Sequence, residues 1–324
     1  MSATHSPRDT EVSNRPPRAN PAVHRMLTGP ALTPAHLSMV LLVVDEQAVD
    51  GPMPTTTVDR LPTVMRDCSR LGIPSVKIFA QATARDATGS VSLASDSLMA
   101  RAVRVAKNAA PEVAVMTETC LCSYTPGGLC YVTDQRGRPD VAATIEVTAQ
   151  QAVAHADAGA DIIGPASMVL GTTRAARDAL DQSGYEDRSV MPHVIYHSSL
   201  YDGFRLTMGA TPHAGADRAF QISPTRPSEF ISAALRLVED GADLLLLEPA
   251  LFTGDMVRDL RARTTTPLFP FSVSGEYNKL APLDPGTGRR DVRTLAELCT
   301  TLRRAGATAT VTYGAVEIAR QLNS

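Results

Sequence analysis

The sequence predicts an α/β protein, a (β/α)8 TIM barrel with an extended N-terminal arm, on three observations. Short apolar runs recur eight times, amphipathic stretches separate them, and no glycine-rich phosphate loop follows the first run. Strand and helix in repetition give parallel pairing, and eight repeats close a barrel. A doubly wound open sheet is the rival, against which the missing glycine loop counts.

Residues 1–35 carry many Pro, Arg and Ser with little periodicity and read as an arm; residues 36–324 carry the barrel. The runs are 38–45 (SMVLLVVD), 75–80 (SVKIFA), 113–118 (VAVMTE), 161–165 (DIIGP), 192–197 (PHVIYH), 243–248 (DLLLLE), 267–273 (PLFPFSV) and 308–313 (TATVTY). Between them, TIEVTAQQAVAHADAGA and SEFISAALRLVEDGA have helical spacing, the second opening on Ser228 as N-cap and closing near Gly241. Function in a barrel collects where strands end and loops begin, so those positions hold the candidates.

A formal net charge of −3 with 20% charged residues and no single-sign stripe argues against nucleic acid and anionic lipid, leaving a small molecule as the expected ligand. No stretch approaches the ~18 apolar residues of a membrane span, and the polar, Pro-rich start MSATHSPRDTEVSNRPPRAN lacks the core of a signal peptide. A cytoplasmic protein is expected. Lysine is scarce, with Lys77, Lys107 and Lys279 alone among 31 Lys+Arg.

Three of the five cysteines fall within the loop TCLCSYTPGGLC, spaced C-x-C-x7-C as Cys120, Cys122 and Cys130. Cys120 and Cys122 share a side by alternation, and the Pro-Gly-Gly turn can fold Cys130 back toward them. Three thiolates leave a tetrahedral Zn2+ one open position, as in catalytic sites. Three merely buried cysteines are the plainer alternative, and a disulfide is poorly suited to a reducing compartment. Cys68 and Cys299 lie on helix-like segments as packing residues.

TETCLCSYTPGGLC resembles the zinc loop of porphobilinogen synthases (5-aminolevulinate dehydratases), whose usual form is D-V-C-L-C-E-Y-T-S-H-G-H-C. LGIPSVKIFA, AVAHADAGADIIGP, Phe204-Arg205, DGADLLLLEPAL, VSGEY and RRAGATATVTY follow in that family's order and spacing. The resemblance implies the barrel, an arm that embraces a neighbouring subunit, and homodimers or homo-octamers. It also implies condensation of two 5-aminolevulinate molecules held as imines on two lysines, with zinc polarising a substrate oxygen.

Both lysines are missing. The first lies in S-A-K-Y, where Tyr196-His197-Ser198-Ser199-Leu200 puts Ser199; the second lies in V-K-P-A-L, where Glu248 stands. Neither a hydroxyl nor a carboxylate forms an imine. Other family positions are kept: Arg205, Arg218 and Gln221 match one carboxylate pocket, Ser274 and Tyr313 the other, Phe79 an active-site phenylalanine, and Glu118 the acid before the zinc loop. The family's P-S-D-M-M-D-G-R has become PASMVLGT, losing two aspartates and an arginine.

A site without its covalent handles but with a metal and anion clamps is expected to run zinc-assisted condensation, cyclisation or dehydration of a small amino-keto acid. Glu248 would be its general base or acid, His197 its proton-handling partner beside Tyr196, and Ser199 a small filler or a nucleophile. Lys77, two residues before Phe79, should face the barrel interior, paired with Glu248 or serving as a relocated imine-forming amine. The competing readings are a pseudoenzyme that binds aminolevulinate-like ligands or regulates a paralogue, and a genuine porphobilinogen synthase working through Lys77.

Overall fold

The computed structural model describes residues 21–23, 31–45, 51–82, 84–212 and 219–323. The predicted arm therefore lies largely outside the described residues, as does Arg218. By contacts the chain divides into Met1–Ala31 and Leu32–Ser324; the fold that follows is that of the second unit.

Among the described residues nine parallel strands form its core. They are β1 (Leu37–Val43), β2 (Ser75–Ala80), β3 (Ala114–Thr119), β4 (Ile162–Pro165), β5 (Ser189–Val190), β6 (His193–Ile195), β7 (Leu245–Glu248), β8 (Leu268–Ser272) and β9 (Thr310–Thr312). Their order is β5-β4-β3-β2-β1-β9-β8-β7-β6. The two ends of this order are consecutive in sequence, and Val190 O accepts from Asp243 N and Leu244 N ahead of β7 at 2.9 and 3.2 Å. The sheet thus closes on itself as the predicted TIM barrel.

The ninth strand arises because Met191-Pro192, where the fifth apolar run begins, separates that run's strand His193–Ile195 from a short strand ahead of it, Ser189–Val190. Proline donates no hydrogen bond. Ser189 and Val190 register with β4, whereas His193–Ile195 register with β7, His193 opposite Leu246 and Ile195 opposite Glu248.

Helices cover the barrel. After the first strand come α1 (Leu61–Leu71), α2 (Leu98–Ala109), α3 (Val141–Asp157), α4 (Thr172–Gln182) and α5 (Asp202–Met208). The remainder are α6 (Pro227–Glu239), α7 (Gly254–Arg261), α8 (Ser274–Leu280), α9 (Arg293–Ala305) and α10 (Ala315–Leu322). Helix α6 corrects the predicted cap: Arg226 holds the N-cap position, Pro227 opens the helix and Ser228 lies inside the first turn. Proline's fixed φ favours that first position. Gly241, just past the end, has φ +96°, in the region that favours glycine. Cys68 on α1 and Cys299 on α9 are fully buried packing residues. No helix among the described residues is long and apolar enough to cross a membrane.

Candidate active site

Period-two alternation along the strands decides what enters the barrel. From β2 come Lys77 and Phe79, from β3 Glu118, from β6 His193 and Ile195, and from β7 Glu248. At the carboxyl ends of the strands these side chains, Lys77 excepted, line a cavity of about 860 Å³ including its mouth. Phe79, Phe204 and Phe271 form an aromatic wall, with ring centroids 5.1 Å apart for Phe79–Phe204 and 6.0 Å for Phe79–Phe271.

The cysteine loop forms one side. Tyr124 N and Thr125 N both donate to Leu121 O at 2.9 Å, a tight turn that points the following chain back over the cavity. Gly128 has φ +65°, and a Cβ there would stand 2.5 Å from Thr211 O, so only glycine fits the return. Gln151 on α3 anchors the loop through Nε2 to Cys120 O at 3.2 Å. Cys120 and Cys122 are buried, Cys130 half-buried, and the three sulfurs lie within 4.8 Å of one another. Hydrogen bonding with Cys122 and Cys130, then burial, raises the Cys120 thiol well above its ordinary pKa. Three convergent sulfurs in a loop held from behind suit a thiophilic ion such as Zn2+ and offer it three ligands.

On the adjoining strands β6 and β7, His193 Nδ1 lies 2.8 Å from Glu248 Oε1, and both residues are almost wholly buried. His193 Nε2 has no hydrogen-bond partner among the described residues. Burial, then the Glu118 charge, raises the Glu248 pKa well above the ordinary carboxylate value. Burial, then the Lys77 charge, holds His193 well below the ordinary imidazole value. Both groups are thereby driven toward their neutral forms.

The sequence expectation for this part of the site needs correction. His197 is exposed and stands off the cavity, as does Ser199. Strand β6 has ended before either, and the chain turns outward into a short helix at Ser199–Tyr201. Tyr196 is buried but on the other face of the strand, stacked on Phe230 of α6 at 4.4 Å between centroids. The partner of Glu248 is His193, not His197.

Lys77 also departs from expectation. It is fully buried beneath the cavity and absent from its wall. Nζ donates to Thr117 O at 3.3 Å, and no carboxylate is in ion-pair contact with it. The expected Lys77–Glu248 ion pair is therefore not formed. Glycine at 164 makes the room, since a Cβ there would lie 3.1 Å from Nζ. Burial lowers the Lys77 pKa to about 8 against the opposing pull of Glu118 and Glu248.

Of the positions expected to bind carboxylate, Arg205, Gln221, Ser274 and Tyr313 all line the cavity. The Arg205 guanidinium lies over the Tyr201 ring at 4.9 Å and donates to Asp202 Oδ1 at 3.1 Å. Ser274 donates to Leu200 O at 2.9 Å, while the Tyr313 hydroxyl and Gln221 Oε1 have no partner among the described residues. Sequence reasoning missed His193, Phe204 and Phe271. Alternation counted back from Val273 and from Ile195 is the signal that finds the last phenylalanine and the histidine.

With this geometry the comparisons with known proteins are specific. Residues 12–321 match the delta-aminolevulinic acid dehydratase family. The chain belongs to that family. Named dehydratases include one from Escherichia coli, 34% identical over 96% of this chain and 98% of the relative, and one from Halalkalibacterium halodurans, 33% identical over 82% and 81%. A crystal structure of delta-aminolevulinic acid dehydratase from Toxoplasma gondii, in complex with porphobilinogen, superposes with a TM-score of 0.89 at 28% identity, covering 96% of this chain and 92% of that one. Members of the dehydratase family are condensing enzymes of the lyase type, and this chain keeps the family's barrel across almost its whole length.

Proposed function

We propose that this chain is a zinc-dependent lyase of the delta-aminolevulinic acid dehydratase family that condenses, cyclises or dehydrates a small amino-keto acid without lysine imines. The observation that carries the reading is Glu248. At the place of the family's essential lysine stands a carboxyl bonded to a buried imidazole, and the one lysine nearby is shut beneath the cavity floor.

Cys120, Cys122 and Cys130 would hold the zinc ion, which supplies Lewis-acid polarisation of a substrate oxygen. The remaining roles belong to the chain itself. Arg205 and Gln221 clamp a carboxylate at one end of the cavity, and the Ser274 and Tyr313 hydroxyls receive a polar group at the other. Phe79, Phe204 and Phe271 exclude water from the reacting carbons and strengthen every polar contact among them. Glu248 and His193 handle the protons that dehydration moves. The reading also assigns the protein to the cytoplasm and to a homodimer or homo-octamer built through residues 1–35.

The test is incubation of the zinc-loaded protein with 5-aminolevulinate, with and without borohydride, followed by mass spectrometry of small molecules and of peptides. Products that have lost water, with no reduced adduct on any lysine, are expected. An Ehrlich-positive pyrrole together with an adduct at Lys77 would establish ordinary porphobilinogen synthesis instead. Protein that takes up no zinc and releases aminolevulinate unchanged would make it a binding protein.

A further inference from the structure

The histidine that the cavity brings into play has two nitrogens in very different surroundings. Nδ1 is 2.8 Å from Glu248 Oε1, and Nε2 is buried and unpartnered among the described residues, in a side chain that lines the cavity. Register explains the contact: Glu248 is opposite Ile195 on the neighbouring strand, one inward-facing step beyond His193.

A hydrogen-bonded carboxyl and imidazole can share their protons in two ways. In one, a carboxylate accepts from Nδ1–H and Nε2 carries a free lone pair. In the other, a carboxylic acid donates to Nδ1 and the ring hydrogen sits on Nε2. An ionised Glu248 needs a cation in direct contact or several donors to offset its burial, and among the described residues its one such contact is the His193 ring. Lys77 donates to the Thr117 carbonyl and makes no ion pair with Glu248, and among the described residues no salt bridge besides the His193 contact reaches Glu248. The neutral acid is the form the surroundings support. The ring hydrogen then lies on Nε2, where no described protein group accepts it and a substrate oxygen in the cavity that His193 lines can.

We propose that His193 is the proton donor of this cavity, its Nε2–H passing to a departing substrate hydroxyl while the Glu248 carboxyl refills the ring through Nδ1. The inference rests on the lyase reading above and names the group that replaces the imine's work. For a hydrated ketone, one C–O bond breaks with its electron pair staying on oxygen, and that oxygen leaves as water with the Nε2 proton. The O–H bonding pair of the second hydroxyl becomes the carbonyl π bond. Its proton passes to Glu248, whose own has moved to Nδ1, and exchange with water returns the ring to its Nε2–H form. Lys77, in electrostatic range of Glu248, steadies the carboxylate while it exists.

Two measurements test this. Nitrogen-15 spectra of histidine-labelled protein, with the signal assigned by its loss in His193→Gln, should show a neutral ring protonated on Nε2 and accepting at Nδ1. A ring protonated on Nδ1 with a bare Nε2 overturns the proposal, because that ring is a base. The second follows loss of oxygen-18 from 5-aminolevulinate labelled at its ketone, catalysed by zinc-loaded protein. His193→Gln, His193→Phe and Glu248→Gln should each slow exchange by about 100-fold. Glu248→Gln should do so while preserving the Nε2–H tautomer, since its amide still donates to Nδ1 but cannot release a proton. Exchange undiminished in the His193 variants overturns the proposal. Wild-type protein that shows the expected tautomer but no exchange overturns the lyase reading and the donor role with it, leaving a structural pair.

Discussion

Replacing Lys77 by methionine should make the metal-free protein more stable at pH 6. An unbranched side chain of similar length fits the space without strain, so packing is nearly conserved. What changes is charge. Burial displaces the Lys77 pKa from 10.5 to about 8. At about 1.4 kcal/mol per tenfold change in proton affinity, that is about 3 kcal/mol held against the folded state. The sign follows from proton counting. Below pH 8 the folded lysine is charged and the full penalty stands; between about 8 and 10.5 the folded lysine has released a proton that the unfolded one keeps, so wild-type stability climbs with pH. Glu118 works the other way, its pKa raised to about 7 by burial and restrained by Lys77. The stability it contributes is present below its unfolded pKa and fades as pH rises through 7, and without Lys77 that fading continues further. Urea titrations should therefore find K77M more stable by about 3 kcal/mol at pH 6, with the advantage shrinking to about 2 kcal/mol by pH 9 and to about 1 kcal/mol near pH 10. A K77M protein less stable than wild type at pH 6 would refute the reasoning, for it would make the buried ammonium a net stabiliser. A lysine retained at such a cost has a use in the site, and K77M should lose oxygen exchange as it gains stability.

Cys130→Ser should abolish retention of zinc through gel filtration. In wild type zinc affinity should fall as pH drops from 8 to 6, because thiols whose pKa is raised by neighbouring sulfurs and burial must lose protons to bind it; metal analysis reads both. Arg205→Ala should weaken binding of levulinate, a non-reacting carboxylate probe, by roughly 10–100-fold in calorimetry, the worth of a charge-assisted hydrogen bond. The double variant E248K/K77M places an amine at the family position while removing the buried cation beneath it. It should form a borohydride-trapped adduct with 5-aminolevulinate at residue 248, and an absence of adduct would deny the equivalence of Glu248 with the family lysine.

The strands were legible because parallel strands buried on both faces are written as apolar runs, and every one of the eight runs overlaps an observed strand. The fifth differs in detail for a physical reason. The apolar run spans Pro192–His197, whereas the ladder starts at Ser189, breaks at the proline and ends at Ile195. His197 and Ser199 therefore lie past the strand end, where the backbone no longer holds side chains to one face. The cysteine cluster was legible because its spacing is local. Lys77 was placed correctly on the inner face by counting two residues from Phe79, but counting gives direction and not depth, and depth is what removes its amine from the cavity.

Depth also explains why the site's polar chemistry divides as it does. Along β2, Phe79 occupies the wall and Lys77 the layer below; on the opposite side Glu248 stands at the wall and His193 a step lower on the adjoining strand. Lys77 has turned to a backbone carbonyl, so the carboxyl above is left to the imidazole. An amine pointing into the cavity would attack a ketone, whereas a neutral acid joined to a neutral ring can only lend and recover protons. On the reading proposed above, Glu248, at the position that resembles the family's imine-forming lysine, would move protons with His193, and a metal ion held by Cys120, Cys122 and Cys130 would polarise the carbonyl.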